Sequence, residues 1–448
     1  MAGTNTASSF SADIENYIAD ETLPLARRQL VAYQFGDPLT LPQGRGTTYT
    51  AFRYNRVALP FAPLSEGVAP VGQSMTIASV SAVAQQWGDR ITITDVAELT
   101  IKHPLFKKAT ELVSLQLAET LERNCFNTLM AGTQVNYVNT RGSRAALIAG
   151  DVLDTTTVIR TNAALETLGA PRYMGDEMLD QKNDVDAGGA KASSDPRVMP
   201  HYSAIVHPLV VGDFRQQTGV INAWTYSDIN RLYNYEVGEW GGIRFCKSNL
   251  VPSFTGVAQI TGTPGTAGSL ATNNYFIVVT ASDTQNQYES RVYQVSGSLA
   301  VTGPNGSIAV TLPALVGFTF NVYIGLTSSP ANLGLAAAGP TTGPLTGQAT
   351  QLAPNQTVII TGTGVAQVPP AAPATGVTVY PTFVLGRGAY GQVVLDNAKF
   401  SYLTGADKSD PLNQLRIIGW KAFYGTLIEN QQFFARIESA SAFTATFG

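Results

Sequence analysis

The sequence predicts an α+β chain interrupted by an all-β sandwich. Three observations carry this reading. A long three-and-four-spaced apolar stripe near residue 110 describes one dominant helix. Short alternating apolar runs on either side of it describe strands. Between Val251 and Tyr380 the charged residues are Asp283, Glu289 and Arg291 alone, whereas both flanks carry ordinary charge density. One domain of distinct character therefore sits between two pieces of another.

Taking the elements in order, Ser11 to Gln34 has Ile14, Tyr17, Ile18 and Leu25 among polar residues, which fits an arm or a short helix. Thr47 to Val57 alternates around Tyr49, Phe52 and Tyr54. A Pro- and Gly-rich tip from Leu59 to Pro70 follows, and Met75 to Val96 is again β-rich. Two long strands around an irregular tip predict an extended hairpin, too polar on its faces for a buried core element, that projects and needs a partner surface.

The strongest helix is predicted from Pro104 to Met130, because proline suits a first helical turn. Leu105, Ala109, Leu112, Val113, Leu117, Leu121, Cys125 and Leu129 form its stripe. Lys107, Lys108, Glu111, Glu119, Glu122 and Arg123 occupy much of the other side, and Gly132 stops it. Its length is about 25 residues, or roughly 38 Å. A second helix is expected from Asp154 to Leu168, a strand at Tyr202–Val206, a helix from His207-Pro208 to Gln217, and a strand at Gly242–Cys246. Beyond the charge-poor segment, Thr382–Leu385, Gln392–Leu395, Leu415–Ile428 and Phe433–Ile437 read as strands.

Inside the charge-poor segment, Tyr275–Thr280, Arg291–Val295, Ser307–Leu312, Phe318–Ile324 and Thr357–Thr361 are short β-runs separated by Gly, Pro, Asn and Ser. Regular short strands with turn signals predict a sandwich. The stretches YFIVVTASDTQNQYES and FNVYIGLTSSP resemble strands of fibronectin type III and related immunoglobulin-like domains. Pro369, Pro370 and Pro373 predict a stiff exit linker.

Composition narrows the function classes. Hydrophobic residues reach 44% of 448, enough for a sizeable core, and charged residues only 13%. The net charge of -4 lacks the basic excess of a dedicated DNA-binding module. Cys125 and Cys246 read as two buried thiols. Met1 to Phe10 has no basic stretch leading into an apolar core, so no secretory signal is expected, and no apolar run is long enough for a membrane span.

No motif makes a convincing chemical site. Gly386-Arg-Gly-Ala-Tyr-Gly391 matches the dinucleotide fingerprint formally, but a β-like run follows it where the site needs a helix. It reads as a glycine-rich turn between strands. His103, His201 and His207 lack metalloprotease spacing and read as solvated or capping residues. Asp176, Glu177, Asp180, Asp184 and Asp186 form an acidic stretch in which Asp184, Asp186, Gly189 and Asp195 fall on calcium-loop positions. Gly188 at position five and Asp195 in place of the bidentate glutamate favour a solvated loop. Arg27, Arg28, Arg45, Arg53 and Arg56 make the N-terminal region locally basic, which fits contact with a neighbouring subunit. No catalytic, cofactor-binding or metal-binding residue is expected, and no cofactor.

The order of elements, with the stretches LPQGRGTTYTAFRYNRV, ITITDVAELT, HPLFKKATELVSLQLAETLERNCFNTLMAG, YSAIVHPLVVGDFR, GEWGGIRFCKSN, VYPTFVLGRGAYG and IIGWKAFYGTLIENQQFFARIES, resembles the HK97-type coat fold of tailed phages, in the subfamily typified by the phage N-four coat protein. The resemblance covers most of the chain outside the charge-poor segment. It implies an N-terminal arm (1–39), an extended loop (40–96), a peripheral domain with a spine helix (97–153), an axial domain (154–251), the inserted immunoglobulin-like domain (252–376), the axial domain continued (377–411) and the peripheral domain continued (412–448). It also implies self-assembly into hexameric and pentameric capsomers, a portal partner, non-specific contact with packaged DNA, and a virion location after assembly in the host cytoplasm. No lysine lies between Met1 and Ile101, so the loop-lysine cross-link of some members is unavailable here. About forty residues precede the loop, which points to a separate scaffolding protein. The insertion is expected on the outer surface, where its Thr/Ser/Asn-rich faces fit weak glycan binding or plain decoration. The alternatives are a carbohydrate-active enzyme with a fibronectin-like accessory domain, against which no carboxylate pair stands out, and a secreted adhesin.

Overall fold

A computed structural model describes residues 30–42, 44–55, 57–59, 63, 72–100, 105–173, 201–217, 221–222, 233–283, 288–303, 305–339, 347–363, 367–403 and 414–444. Among these, the chain forms two compact units, one from 85–120 and 396–424 and the other from the rest.

After a 3-10 turn at Ala32–Phe35 come β1 (Asp37–Thr40), β2 (Thr48–Tyr54) and β3 (Ile77–Val83). β2 and β3 pair antiparallel along their whole length, from Thr48↔Val83 to Tyr54↔Ile77. The predicted second strand, Met75 to Val96, is corrected in one respect. It breaks at Ala84, and its continuation β4 (Gln85–Thr94) joins a different sheet before turning into the helix α1 (Asp95–Thr100). α2 (Leu105–Met130) is the predicted long helix, and Ala109, Val113, Leu117, Cys125 and Leu129 of its stripe are buried. Leu112 is instead exposed, and Glu122, assigned to the polar side, is only 1% exposed.

The larger unit continues through β5 (Val135–Tyr137), α3 (Thr155–Thr167), β6 (Tyr202–Val206), α4 (Pro208–Phe214), β7 (Ile221–Asn222), β8 (Glu236–Trp240) and β9 (Ile243–Lys247). Asp154 caps α3 by accepting from the Thr157 N–H at 3.2 Å, leaving one fewer unsatisfied donor in the first turn. The insertion holds β10 (Phe254–Val257), β11 (Gly262–Leu270), β12 (Asn273–Asp283), β13 (Arg291–Tyr293), β14 (Leu299–Val301), β15 (Gly306–Thr311), β16 (Phe318–Gly325), β17 (Gly334–Gly339), β18 (Gly347–Gln348) and β19 (Thr357–Thr363). The chain ends through β20 (Thr378–Leu385), β21 (Tyr390–Leu403), β22 (Leu415–Ile428) and β23 (Phe434–Ser439).

The central sheet of the larger unit runs β5-β23-β20-β6-β9-β8-β7, with β5–β23 and β6–β9 parallel. β23, in the stretch 412–448 that the resemblance gives to the continued peripheral domain, is hydrogen-bonded in this central sheet between β20 and β5. Every residue of β6 and β23 is buried, because the sheet is covered on both faces. Val158 and Leu165 of α3, with Val210 and Phe214 of α4, close one face over Ala204, Phe245, Val384 and Ile437. On the other face Phe126 of α2 meets Phe383, ring centres 5.6 Å apart.

The insertion leaves and re-enters this sheet at one point. β10 pairs with β20 (Phe254↔Val379), and the Gly376 N–H donates back to the Gly256 carbonyl at 2.8 Å. A Cβ at Gly256 would overlap the carbonyls of Pro373 and Ala374, so the exit linker requires glycine there. Two sheets face each other, β10-β13-β12-β16-β17 and β11-β15-β19-β17-β18, and β17 serves both. Ile277, Val279, Phe320 and Val322 from one and Ile308, Val310, Val358 and Ile360 from the other fill the space between. Phe320, fully buried in that layer, is a direct test of it. Phe320→Ala is expected to cost about 3–5 kcal/mol, read as a lower urea midpoint by circular dichroism.

Candidate assembly surfaces and the root of the insertion

The β2–β3 hairpin pairs only with itself among the described residues. An isolated two-stranded ribbon is marginal in water. At its base Leu41, Ala82 and Ala84 pack with Val393 and Leu427. Away from the base, Phe52 is 70% exposed, Tyr54 64%, and Met75 and Ile77 are exposed beside them. Contiguous exposed apolar side chains of this size mark a surface meant for a partner. Arg45 and Arg53 are exposed on the same segment. Arg56, Arg27 and Arg28 lie outside the described residues.

Glu122 is a structural anchor that helical periodicity hides. Its carboxylate is buried and accepts from the backbone N–H groups of Val31 and Ala32 at 2.6 Å each and Tyr33 at 3.0 Å. Burial raises its pKa, and the three N–H donors oppose that rise. The next carbonyls are taken as well: Tyr390 donates its hydroxyl to Ala32, and Gln392 Nε2 donates to Tyr33 at 2.9 Å. The chain is thereby fixed to the body where the N-terminal segment ends.

The root of the insertion is the most highly charged buried place described. Arg144 donates from Nε and Nη2 to Glu438 at 2.7 and 2.5 Å, and from Nη1 to the Ala371 carbonyl at 3.1 Å. Its guanidinium lies 4.3 Å from the Phe254 ring centre. Arg436 pairs with the same Glu438 at 3.1 Å and donates to the Met130 carbonyl at the end of α2. Burial pulls the Arg436 pKa down and Glu438 pulls it back up. Above this triad, Glu289 accepts from Thr280 at 3.0 Å, Asn321 at 2.5 Å and the Tyr323 hydroxyl at 2.6 Å. The lower face of the sandwich is therefore buried too: Val278, Val292, Tyr323, Leu333 and Leu335 pack with Phe254 against Met130 and Ala372. A cavity of about 470 Å³ remains at this root, lined in part by Asn127, Tyr137, Tyr288 and Pro370.

The residues weighed as chemical sites do not come together. Gly386 to Ala389 is the turn between β20 and β21, with Gly388 at a φ of 72°, and Tyr390 and Gly391 already lie in β21. His207 is a capping residue: its Nδ1 accepts from the Leu209 N–H at 3.3 Å, and its ring stacks on Tyr380 at 4.6 Å. Burial lowers its pKa to about 4. His201 is corrected: it is fully buried, neither solvated nor capping, and lies 3.2 Å from the Tyr233 hydroxyl. Cys125 and Cys246 are buried free thiols. His103 and the acidic stretch from Asp176 to Asp195 lie outside the described residues. Among those described, no group of three or more His, Cys, Asp or Glu is placed to hold a metal ion, and no helix is long and apolar enough to cross a membrane.

A family model described as phage capsid protein matches residues 77–310. Among solved structures, the chain is similar to the capsid of cyanophage P-SCSP1u, with 13% identity, 98% of this chain and 96% of that one covered, and a TM-score of 0.49. It is similar to the capsid of Ralstonia phage GP4 at 7% identity, with 98% of each chain covered and a TM-score of 0.49. For the cyanophage Pam1 capsid the figures are 10%, 99% and 100%, and 0.45. No curated protein matches the chain.

Two outcomes are expected from this geometry. Glu438→Gln removes the anion between two buried guanidiniums and should cost about 3–5 kcal/mol in urea unfolding. His207 titrates lower folded than unfolded, so the unfolded chain binds the extra proton first as pH falls. Its contribution is complete above about pH 6.5 and is lost progressively down to about pH 4, by about 3 kcal/mol. His207→Asn keeps a capping acceptor without that titration, and should flatten the stability profile across this window.

Proposed function

The chain belongs to the phage capsid protein family, and from that premise we propose that it is the major coat subunit of a tailed bacteriophage, closing with its copies into an icosahedral shell around double-stranded DNA. The observation that carries the proposal is the β2–β3 hairpin. It has a packed base, an apolar exposed length and no sheet neighbour of its own among the described residues. A subunit that leaves such a ribbon uncovered is complete only against another copy, and repeated use of one such heterologous contact closes a shell.

In this reading the subunit has an HK97-type fold. The hairpin is the extended loop, α2 is the spine of the peripheral domain, and the central sheet with α3 and α4 is the axial domain facing the capsomer centre. The sandwich from β10 to β19 is an immunoglobulin-like insertion on the outer surface. Its charges lie on β12, on β13 and in the segment between them, so its other strands are neutral and rich in Thr, Ser and Gly. Such faces suit weak contact with neutral, hydroxyl-rich ligands such as glycans. Hexameric and pentameric capsomers, a separate scaffolding protein, a portal and non-specific contact with packaged DNA complete the set of partners, and assembly takes place in the host cytoplasm. The role is structural and involves no catalysis.

The paired substitution Phe52→Glu with Ile77→Glu tests the reading, since these residues are exposed on adjoining strands and not part of the subunit's own core. The variant should keep wild-type circular dichroism and sediment as free subunits or capsomers, where the unaltered chain, co-expressed with its scaffold, sediments as shells. Wild-type particle yield from the variant would remove the hairpin from the assembly mechanism.

A further inference from the structure

Two carboxylates converge on the joint between β1 and β21, inside the larger unit. The strands run parallel, with Asp37 in register with Gly391 and Leu39 with Val393. Glu429 directly follows β22, and its N–H donates to the Ala389 carbonyl at 3.0 Å. Its side chain fills the space that Gly391 leaves empty: a Cβ there would overlap Glu429 Oε1 and Leu39 Cδ1. In that place Oε1 is buried and has no hydrogen-bond partner among the described residues. Asp37 Oδ2 reaches the same turn, 3.8 Å from where a Cβ on Gly388 would stand. Other groups act on the pair. Arg387, exposed in the β20–β21 turn, draws the Asp37 pKa down, but burial, the larger effect, raises it. Burial raises the Glu429 pKa, and the Asp37 charge raises it further. Burial and that same charge keep the Tyr173 phenol protonated, and it donates to the Phe35 carbonyl at 3.2 Å. His201 and Tyr233 lie one ring further out. The joint also carries the base of the hairpin. The Leu41 N–H donates to the Val394 carbonyl at 3.0 Å, and Leu41, Ala82 and Ala84 pack with Val393 and Leu427.

We propose that Asp37 and Glu429 are a proton-operated latch: while one of them holds a proton, β1 and the base of the hairpin stay docked on β21, and when both ionise their repulsion loosens that joint. A buried carboxylate oxygen without a donor is costly when charged, and a second carboxylate beside it adds to the cost. The sign follows from the direction of the two shifts. A carboxyl group whose pKa is raised on folding binds its proton more tightly in the docked state. The stability it contributes is complete below the ordinary carboxylate pKa of about 4 and is lost as pH rises through the higher docked values. This is opposite in sign to the His207 effect, so the two are separable. The latch acts within one subunit and does not depend on the coat reading. It does act on the element that this reading assigns to subunit contact.

The test is amide hydrogen exchange of the full chain, read by mass spectrometry on the peptide that spans β1 and Leu41 and normalised to the intrinsic rate at each pH. Protection of this peptide should fall by about tenfold or more between about pH 5 and about pH 8. Glu429→Gln and Asp37→Asn each leave one ionisable group, and each should reduce the fall to roughly threefold or less; the double amide variant should abolish it. If one single variant does not fold, the other serves. Salt at about 1 M, where screening reaches within about 3 Å, should also shrink the wild-type fall. A wild-type protection that does not change with pH, or a fall undiminished in either folded single variant, overturns the proposal. So does a fall that about 1 mM calcium abolishes, which would assign the two carboxylates to a cation.

Discussion

Glu438 sits fully buried between Arg144 and Arg436, and much of the larger unit converges on that carboxylate. It belongs to β23. Through Arg144 it reaches the exit linker at Ala371 and the first insertion strand at Phe254. Through Arg436 it reaches the C-terminal carbonyl of α2. Segments separated by up to about 300 positions meet at one charge. Two buried guanidiniums are costly to desolvate, and each needs an anion and further acceptors to remain there. The cluster therefore constrains geometry: tilting the insertion on its linkers breaks the hydrogen bond from Arg144 to the Ala371 carbonyl.

This changes the physical character of the insertion. A domain joined by two linkers ordinarily moves relative to its host. Here the lower face of the β13-β12-β16 sheet forms its own small cluster with Phe254, in which Tyr323 is bonded to Glu289 and Met130 and Ala372 pack at the edge. Of the three charges of the segment, Glu289 and Arg291 lie at its base. Charge depletion elsewhere leaves the rest of the segment neutral.

Much of this was legible in the sequence, for identifiable reasons. The stripe of α2 was visible because a helix against a core repeats its apolar contacts every three or four residues. Glu122 was not, because its partners are backbone N–H groups some ninety positions away, and the side chain alone reads as one more polar residue. The insertion's β12, β15, β16 and β19 carry β-branched alternation and were found. β11, with the sequence GTPGTAGSL, has low strand propensity and is a strand because β15 supplies its hydrogen bonds. The break at Ala84 and the placement of β23 are tertiary choices, made by which neighbours offer a free edge. His201 looked solvated, whereas the rings of Tyr173 and Tyr233 enclose it.

Among the described residues the hairpin has no sheet neighbour, and in the proposed shell an adjacent subunit covers it. The most direct measurement is an electron cryomicroscopy reconstruction of the particles the chain forms. The account predicts a closed icosahedral lattice in which β2 and β3 lie across an adjacent subunit, with the insertion outward and as well resolved at its root as the central sheet. A chain that remains monomeric, or a lattice in which the hairpin folds back on its own subunit, would contradict it.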